Sequence, residues 1–558
     1  MVLFHYSHSL TKTVPYTEGL ELLKEMGFAE RAFGDVQGRC LDGTRTEILD
    51  TIMRWTLHAD PPDGEEQFGK VPRLSARVLW LCGVAGSGKS RISRSIATRL
   101  QELQRLGSLY CCDYRNRATL NPETLFSTIA QHLASHDPLR RQHLLAAIKD
   151  DKAIRTTKIC RQQYQHFIVQ PSTDLPIVGD TVIVIDAFDE IGDIEDRAVA
   201  LDILSRHAHE LPPGLRIVVT SRFEDDIQEA LQSPKAVGVD FMLMEDIPTD
   251  LTARDISHYV HDKLGNIRDL EPADLNQLAM AAGDSFQWAS TACRYIRNNR
   301  DRRGMQGPKD RLPLFLASNQ GLDELYTRIL DEHFGEDSAE ALVKLKLILG
   351  LILRAEEPIS LRTVSELISQ TSSGPTPSTN LHLHDLQRIV RHLASLLVNT
   401  HDIDQAISPL HTSFADFLQD VKRHHKYLID IEEANRRLGL GCLDIMEREL
   451  RFNICQIPTS YKANKDIENL ETLVKKYISP HLRYASRFWA QHLSYLTDVD
   501  DVISSKLRDM LSTRFLEWLE VMSVTDASFQ APLATLDSSK ACSSTNYLLM
   551  PRANFRSR

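Results

Sequence analysis

The sequence predicts an α/β domain with a parallel five-stranded sheet and helices on both faces, followed by an all-α helical region with a winged-helix subdomain. Three observations support this prediction. Between residue 78 and about residue 245, apolar runs of strand length alternate with helical patterns, as in a parallel sheet that is covered on both faces. A glycine-rich loop separates the first such run from the helix that follows it. After residue 245 the strand pattern disappears and helical periodicity continues to residue 522.

The strands are predicted from short apolar runs that are rich in β-branched residues. They cover residues 78–82, 108–112, 181–186, 216–222 and 241–244. The helices around them are predicted from apolar positions that recur on one face, at residues 46–56, 91–103, 122–135 and 138–170. The run 181–186 has five β-forming residues in a row and ends on an acid, so it is the strongest strand prediction.

The loop after the first strand has the sequence Gly83-Val84-Ala85-Gly86-Ser87-Gly88-Lys89-Ser90. It matches the P-loop pattern, in which glycines let consecutive backbone N–H groups surround an anion at the positive end of a helix. In that pattern Lys89 reaches the β- and γ-phosphates, and the Ser90 hydroxyl ligates Mg²⁺. The alternative is a glycine-rich turn that binds nothing. Because all the fixed residues and both flanks are present, we predict a Mg-nucleotide site in an α/β P-loop NTPase domain.

Acidic residues follow the third predicted strand. Asp186 ends this strand, and the strand ends of such a sheet face the same crevice as the phosphate loop. An acid in this place holds Mg²⁺ in P-loop enzymes, and we predict that role for Asp186. Asp189 and Glu190 follow one turn later, where either carboxylate could polarise the water that attacks the γ-phosphate. The sequence does not choose between these two, and the alternative role for acids after a strand is a helix N-cap.

Arg222 directly follows the fourth predicted strand. A guanidinium suits the spread charge of a phosphate, so Arg222 could sense the γ-phosphate. The alternative is a surface arginine in a loop that also holds Glu224, Asp225 and Asp226. The position at a strand end favours the sensor role.

The region after residue 245 is predicted to be helical. The predicted helices cover residues 251–264, 275–298 with an interruption at 283–286, 322–333, 339–354, 361–370, 383–396, 438–446, 470–493 and 502–522. Two apolar runs, 396–398 and 406–410, surround a polar turn, and this hairpin beside three helices is typical of a winged helix. A winged helix raises DNA binding as a hypothesis. The helix 383–396 has only two arginines beside its histidines and no basic arm flanks it, so we expect no nucleic-acid partner.

Composition narrows the function classes further. The 558 residues include 65 basic and 76 acidic ones, and the net charge of −11 argues against a general nucleic-acid binder. The cysteines are scattered without metal or disulfide spacing, as in a protein of a reducing compartment. The most apolar stretch, 347–353, is too short to cross a bilayer, and residues 1–20 lack the apolar core of a secretory signal. We therefore expect a cytoplasmic protein with no membrane partner.

These motifs together resemble those of fungal NACHT-domain proteins in the STAND class of P-loop NTPases, a group labelled by its likeness to the nephrocystin-3 N-terminal domain. The residues that carry the resemblance are 41–55 with Gly43-Thr44-Arg45, 80–90, 184–190, 220–222, 322–326, 411–418, 451–455, 484–485 and 488–489. The resemblance extends from about residue 39 to residue 522. The chain departs from the family at Arg91, where threonine is frequent, and at Asp284-Ser285 in the helical lid.

The resemblance implies an ATP-governed switch in intracellular signalling, such as fungal non-self recognition or cell death. An ADP-bound closed monomer would exchange its nucleotide and open into an oligomer that recruits protein partners. Thr44 and Arg45 would lie near the adenine, Arg91 would belong to the nucleotide site, and His411 would contact the β-phosphate of ADP. Without the resemblance, His411 is interpreted as a hydrogen-bonded histidine at the start of a helix. Any ATP hydrolysis would be slow and would act as a timer.

The patterns divide the chain into six predicted segments. These are a short N-terminal segment (1–38), a nucleotide-binding domain (39–245), a helical lid (246–320), a winged-helix domain (321–422), a C-terminal helical domain (423–522) and a disordered tail (523–558). Two functions stay open beside the switch: an ATPase enzyme with sustained turnover, and a DNA-binding regulator. A kinase would need a second substrate pocket and a motor a substrate path, and the sequence shows a pattern for neither.

Overall fold

The computed structural model describes residues 16–29, 32, 38–58, 72–113, 120–173, 175, 180–298, 307–316, 321–335, 339–368, 382–423, 425–459, 461–525 and 532. The chain divides into two compact units. The N-terminal unit comprises Met1–Arg297 and Asp301–Leu322, and the C-terminal unit comprises Asn298–Arg300 and Asp323–Arg558. Residues 59–71, residues 369–381 and nearly all of the predicted tail lie outside the described residues. The six predicted segments stay predictions.

The sheet of the N-terminal unit has five parallel strands in the spatial order β2-β3-β4-β1-β5. The strands are β1 (Val78–Cys82), β2 (Leu106–Cys111), β3 (Thr181–Asp186), β4 (Leu215–Ser221) and β5 (Val239–Leu243). At the carboxyl end of β1, Cys82 lies opposite Ser221 of β4 and Leu243 of β5. The predicted five-stranded parallel sheet is confirmed, although β2 and β5 each begin two residues earlier than predicted.

Helices alternate with these strands and continue after them. They are α1 (Tyr16–Lys24), α2 (Thr46–Thr56), α3 (Lys89–Glu102), α4 (Pro122–His136), α5 (Pro138–Lys149), α6 (Lys152–Arg155), α7 (Cys160–Gln163), α8 (Gln170–Thr173), α9 (Ile194–Arg206), α10 (Asp225–Gln232), α11 (Thr249–Leu264), α12 (Pro272–Ala281), α13 (Phe286–Asn298), α14 (Pro308–Arg311) and α15 (Pro313–Leu316). A π-helical segment, Tyr164–Val169, joins α7 to α8. Gly283, with a φ of 57°, lies in the turn that separates α12 from α13.

Both faces of the sheet are buried beneath helices. Successive side chains of a strand point to opposite faces, so Trp80 and Leu81 of β1 belong to different cores. Trp80 packs in the core that contains α4, α5 and α9, and Leu81 packs in the core that contains α2 and α3. The second core therefore holds α2 beside α3, the helix that begins at the phosphate loop.

The chain from Leu322 onward is mainly helical, as predicted. Its helices are α16 (Leu322–Phe334), α17 (Ala339–Arg354), α18 (Leu361–Ile368), α19 (Leu383–His392), α20 (Thr412–Gln419), α21 (Ile431–Glu449), α22 (Leu470–Tyr477), α23 (Pro480–Ser494), α24 (Asp501–Asp509) and α25 (Phe515–Val524), with a π-helical segment at Met510–Arg514. Strands β6 (Ile359–Ser360) and β7 (Ala406–Ile407) pair antiparallel, and Leu397 bridges Pro409 in a hairpin. The identity of residues 321–422 as a winged-helix domain stays a prediction.

Two predicted helices are divided. The prediction of continuous helix over residues 138–170 is wrong, because α5, α6 and α7 are separate helices there. The prediction of continuous helix over residues 470–493 is wrong, because α22 ends at Tyr477 and α23 begins at Pro480. Pro480 cannot donate a backbone hydrogen bond and is tolerated in a first helical turn. The Ser479 hydroxyl accepts a hydrogen bond from the Leu482 N–H at 3.1 Å and caps the new helix.

Two further sequence expectations concern the environment of the chain. Among the described residues, no helix combines the length and the apolar character that crossing a bilayer requires. The eight cysteines that the structure describes are free thiols, and Cys542 lies outside the described residues.

Candidate functional site

The loop Gly83–Ser90 lies at the carboxyl end of β1, and α3 begins within it at Lys89. Gly86 and Gly88 have φ values of 81° and 102°, in the left-handed region that favours glycine. At Gly83 the constraint is space, because a Cβ atom there would lie 2.6 Å from the Cβ atom of Met244. The glycines therefore permit a turn that carries the backbone directly into the N-terminus of α3, where anions are favoured.

Lys89 is buried at the base of this loop, with 8% of its surface exposed. Its Nζ atom donates hydrogen bonds to the carbonyl oxygens of Gly83 at 2.6 Å and of Val84 at 2.9 Å. Burial lowers the pKa of Lys89, and the nearby carboxylates of Asp189 and Asp186 oppose this effect. The ammonium is thus held by uncharged loop oxygens, which a phosphate oxygen can replace as a stronger, charge-assisted acceptor.

Asp186 is the last residue of β3 and is 2% exposed. Its Oδ1 atom accepts a hydrogen bond from the Thr220 hydroxyl on neighbouring β4 at 2.6 Å. The 3-10 turn Phe188–Glu190 that follows has no side-chain cap. Asp186 is therefore not used as the N-cap of this turn, and β4 holds its carboxylate at the carboxyl edge of the sheet.

Asp189 and Arg222, which the sequence assigns to separate roles, contact each other. The Oδ1 atom of Asp189 accepts from the backbone N–H of Arg222 at 2.9 Å, and Oδ2 lies 3.2 Å from Arg222 Nε. The Asp189 carbonyl accepts from Arg197 Nη1 at 2.9 Å, and Arg197 forms a bidentate pair with Asp226 at 2.7 Å. Two arginines thus fix Asp189, whereas Glu190 is half-buried beside it.

The remaining loop residues differ in exposure. Val84 is 61% exposed, and Ser90 is half-buried with its carbonyl oxygen accepting from the Ser93 hydroxyl at 3.0 Å. Ala85 and Ser87 are also half-buried. Arg91 Nη1 donates to the carbonyl oxygens of Gly38 and Arg39 at 3.3 and 3.4 Å, so its side chain contacts the segment before α2.

Thr44 and Arg45 are buried where the chain enters α2. The Thr44 hydroxyl donates to the Leu41 carbonyl at 2.7 Å. Arg45 Nη2 donates to the carbonyl oxygen of Ser87 at 3.1 Å, which places this guanidinium against the phosphate loop. The resemblance implies that these residues lie near an adenine, and the structure brings Arg45 to the loop that precedes α3.

Sequence reasoning missed two residues that contact the phosphate loop. Glu245 Oε1 accepts from the backbone N–H of Val84 at 2.9 Å. Gln287, in the first turn of α13, lies so close that a Cβ atom on Gly86 would be 2.6 Å from its own Cβ atom. Glu245 could have been found, because it follows β5, the neighbour of β1, and so lies at the same edge of the sheet. Gln287 is about 200 residues from the loop in sequence and carried no signal.

His411 belongs to the C-terminal unit and immediately precedes α20. Its Nδ1 atom accepts from the Ser413 N–H at 3.1 Å and caps the helix. The Ser413 hydroxyl oxygen lies 2.7 Å from this Nδ1 atom and 2.7 Å from the hydroxyl oxygen of buried Tyr326. The structure gives His411 the capping position that the residues alone indicate, and its contact with a β-phosphate stays a prediction.

The donor set at the edge of the sheet fits a Mg-nucleotide. Lys89 and the glycine-bearing loop supply positive charge and backbone N–H groups, which suit phosphate oxygens. Asp186 and Ser90 supply the carboxylate and hydroxyl oxygens that suit a hard cation. All of these groups lie at or directly after the carboxyl ends of β1 and β3.

The sheet, the loop after β1 and the helical continuation define the class of fold: an α/β P-loop NTPase fold followed by a mainly helical region. A family model described as Nephrocystin 3, N-terminal matches residues 65–222. The matched residues are less than a third of the chain and include the phosphate loop, Asp186 and Arg222. The comparison with curated proteins gives no match.

Three solved structures have a weak likeness to this chain. A STAND protein (signal transduction ATPase with numerous domains) with a tetratricopeptide-repeat sensor from Pyrococcus horikoshii is 12% identical, with a TM-score of 0.35 over 90% of this chain and 66% of that one. The Aeropyrum pernix ORC1 protein in complex with DNA is 15% identical, with a TM-score of 0.31 over 68% of this chain and 92% of that one. Drosophila ORC bound to DNA is 14% identical, with a TM-score of 0.22 over 99% and 85% of the two chains. This chain thus spans slightly less than two thirds of the Pyrococcus structure, and TM-scores this low carry no functional argument.

Proposed function

We propose that this protein is an ATP/ADP-binding regulatory switch of the NACHT/STAND type, in which nucleotide exchange controls opening and self-association. The observation that carries the proposal is the contact between the phosphate loop and helix α13, where Gly86 meets Gln287 without room for a side chain. The conformation of the loop, which depends on its ligand, is therefore coupled to the position of α13. This contact favours a switch over an enzyme whose nucleotide site is isolated from the rest of the chain.

In this proposal each residue has a defined task. Lys89 would exchange its loop carbonyls for phosphate oxygens, and Asp186 and Ser90 would hold Mg²⁺. Either of the two candidate acids, Glu190 or Asp189 with its contacts to Arg222, would orient the attacking water. The bound nucleotide would supply a γ-phosphate whose presence or loss distinguishes two states.

The energy of such a switch comes from differential binding. A ligand shifts a conformational equilibrium only by the ratio of its affinities for the two states. A shift from mostly closed to mostly open protein needs a ratio of about 10⁴, or about 5.5 kcal/mol. ATP and ADP would therefore have to bind the two arrangements of the helical segment with clearly different affinities.

The first experiment identifies the nucleotide that copurifies with the protein and the mass of the protein in solution with ADP and with ATP. We expect bound ADP in a monomer and a larger assembly with ATP. Fast continuous ATP hydrolysis by a protein that stays monomeric with both nucleotides would instead indicate an enzyme. Salt-sensitive binding to duplex DNA would favour a DNA-binding regulator.

The second experiment tests the site itself. Lys89→Ala is expected to weaken ATP and ADP binding at least about 100-fold, which corresponds to about 2.7 kcal/mol, because a charge-assisted contact with phosphate is lost. Lys158→Ala is the matched control, since Lys158 is 78% exposed and pairs with Glu123 on the surface. Glu190→Gln should slow hydrolysis without loss of binding. Unchanged nucleotide affinity in Lys89→Ala, measured by calorimetry, would remove the site assignment.

A further inference from the structure

Arg45 lies at the meeting point of four segments of the N-terminal unit. It immediately precedes α2, has a φ of 56°, and is 5% exposed. Its backbone N–H donates to Asp255 Oδ2 on α11 at 2.8 Å, and its Nη1 atom donates to the Thr252 hydroxyl on the same helix at 3.0 Å. One residue thereby fixes both its main chain and its side chain to α11.

The other half of the same guanidinium faces the phosphate loop and helix α13. Nη2 donates to the Ser87 carbonyl at 3.1 Å, and the guanidinium carbon lies 4.7 Å from the centre of the Phe286 ring. A planar guanidinium can donate in two directions and stack on an aromatic ring at once, which a lysine cannot do. Arg45 therefore touches the loop, α11 and the start of α13 through one rigid group.

Neighbouring contacts join α11 to the same segment without reaching the loop. The His258 Nε2 atom lies 3.2 Å from the Asp42 carbonyl oxygen, and Arg254 Nη2 donates to Glu47 at 2.8 Å. Both contacts are exposed, so they contribute little to stability. Arg45 differs from them because its contacts with α11 are buried and continue to the loop.

A buried arginine is a costly way to join helices. Burial lowers the pKa of Arg45 and Asp255 opposes this effect, while the Nε atom is buried without a hydrogen-bond partner among the described residues. Apolar residues can often replace a buried ion pair without loss of stability. The retention of a charge here is therefore better explained by what the guanidinium connects than by stability alone.

We infer that Arg45 is the positioning residue through which the phosphate loop controls α11, and that it shares the control of α13 with the contact between Gly86 and Gln287. The inference rests on the proposed function, because it specifies how occupancy of that site reaches the helical segment. When the loop takes up phosphate, the Ser87 carbonyl moves with it, and the guanidinium transfers this movement to Thr252 and Phe286. Arg45 acts on the helices and is not required for phosphate binding itself.

Hydrogen exchange with mass spectrometry tests this inference on the full chain, with and without ADP. In the wild-type protein, ADP is expected to slow exchange about 5-fold or more in the loop and also in α11 and α13. At an ADP concentration that saturates each protein, the loop of Arg45→Gln should keep its protection, whereas the protection that ADP gives to α11 should fall below about 2-fold. Helix α13 should lose less of its protection, because Gln287 still contacts Gly86. His258→Ala is the matched control, because it removes a contact between α11 and the Asp42 carbonyl that does not reach the loop.

The outcomes separate this inference from the proposed function. Wild-type protein that shows no ADP-dependent protection anywhere would contradict the proposed function. ADP-dependent protection of α11 and α13 that is the same in Arg45→Gln and wild type would overturn the inference alone. Loss of protection in the loop together with the helices would also overturn it, because Arg45 would then act in nucleotide binding, for example near the adenine.

A milder pair of variants keeps the test decisive if Arg45→Gln does not fold. Thr252→Val removes the acceptor of the Arg45 guanidinium on α11 and leaves Asp255 in place. Phe286→Leu removes the ring on which the guanidinium stacks, and with it a contact with Tyr259 of α11. Each should reduce the ADP-dependent protection of the helix that carries it, with less effect on the other helix. Equal protection of α11 and α13 in these variants and in the wild type would overturn the inference.

Discussion

The two units bury polar groups of different kinds. Among the described residues, every buried Asp, Lys and Arg belongs to the N-terminal unit, whereas the buried polar residues of the C-terminal unit are Ser, Thr, Asn and His. The pair Arg216–Asp180 is an example of the first kind and the chain Tyr484–His492–Asn435 of the second. Burying a charge costs far more free energy than burying a neutral group. A buried charge therefore indicates a place where the positions of contacting groups have to be fixed.

The two kinds of buried group also lie in different surroundings. At the carboxyl edge of the sheet, Lys89, Asp186 and Arg45 are buried at the candidate nucleotide site, in or beside the phosphate loop. In the C-terminal unit Tyr484, His492 and Asn435 form hydrogen bonds with one another within the core, whereas the hydroxyl groups of Ser395 and Ser486 are buried without a hydrogen-bond partner among the described residues. We therefore expect the N-terminal unit to be sensitive to the removal of single charges and the C-terminal unit to be sensitive to pH.

The largest expected effect concerns the buried pair at the opposite edge of the sheet. Arg216 is 0% exposed, lies 4.5 Å above the Trp55 ring, and donates to Asp180 at 2.9 Å. Asp180→Ala would leave this guanidinium buried without its carboxylate, and the N-terminal unit should lose about 3 to 5 kcal/mol of unfolding free energy. Urea denaturation monitored by hydrogen exchange in β4 measures the change.

The control for Asp180→Ala is an ion pair in the other unit. Arg362 and Asp404 form a solvent-exposed pair in the C-terminal unit, with Nε and Oδ1 2.6 Å apart. Asp404→Ala should leave the unfolding transition unchanged, because exposed pairs contribute little. Equal losses in the two variants would show that burial does not distinguish the charges of the two units.

The second effect is the pH dependence of the C-terminal unit. The Glu356 N–H donates to the Tyr484 hydroxyl at 3.2 Å, so this hydroxyl donates to His492 Nε2 at 2.8 Å. His492 Nδ1 then donates to Asn435 Oδ1 at 3.1 Å, and the imidazole is neutral because Nε2 accepts from Tyr484 and carries no proton. Burial, with a contribution from Arg354, lowers the pKa of His492 to about 3.

The sign of the effect follows from this lowered pKa. The unfolded histidine binds a proton below about pH 6.5 and the folded one does not until about pH 3, so stability is lost as the pH falls. Between pH 7 and pH 5 this histidine should remove about 2 kcal/mol from the unfolding free energy. His492→Gln should abolish that part of the pH dependence in the C-terminal unit. The same variant should leave the N-terminal unit, with its own buried His132, unchanged, and a slope that persists in α23 would contradict the assignment.

Sequence analysis predicted the parts of the site that depend on local pattern. The glycine spacing of Gly83–Ser90 and the position of Asp186 at a strand end need no long-range information. The contacts of Arg45 with Asp255 and Phe286 join residues more than 200 positions apart, and no local pattern indicates them. The pairing of Asp189 with Arg222 was not predicted for a different reason, because each residue taken alone is suited to a role at the γ-phosphate. Pro480 did signal a helix boundary, but helical periodicity on both sides of it concealed the break.

The smallest expected effect concerns a chain of hydrogen bonds between uncharged groups in the C-terminal unit, which links His411, Ser413 and Tyr326. The Ser413 N–H donates to His411 Nδ1, so this nitrogen carries no proton and the neutral ring carries its proton on Nε2. The Ser413 hydroxyl can then donate to Nδ1 while it accepts from Tyr326. Nitrogen NMR of labelled histidine should report Nδ1 as the acceptor and Nε2 as the protonated nitrogen. Protonated Nδ1 in the neutral ring would contradict the helix cap.

Tyr326→Phe removes one bond of this chain and leaves the helix cap in place. The cost should be about 1 kcal/mol, because a neutral hydrogen bond contributes little net free energy and the ring that packs on Phe414 and Phe417 is retained. Ser413→Ala is the companion variant, since it removes the hydroxyl group from both neighbours and keeps the backbone N–H that binds His411. A loss as large as that expected for Asp180→Ala would mean that neutral chains hold their unit as strongly as buried charges do. The contrast between the two units would then lie in the kind of polar group that each unit buries and not in the free energy that is lost when its polar contacts are broken.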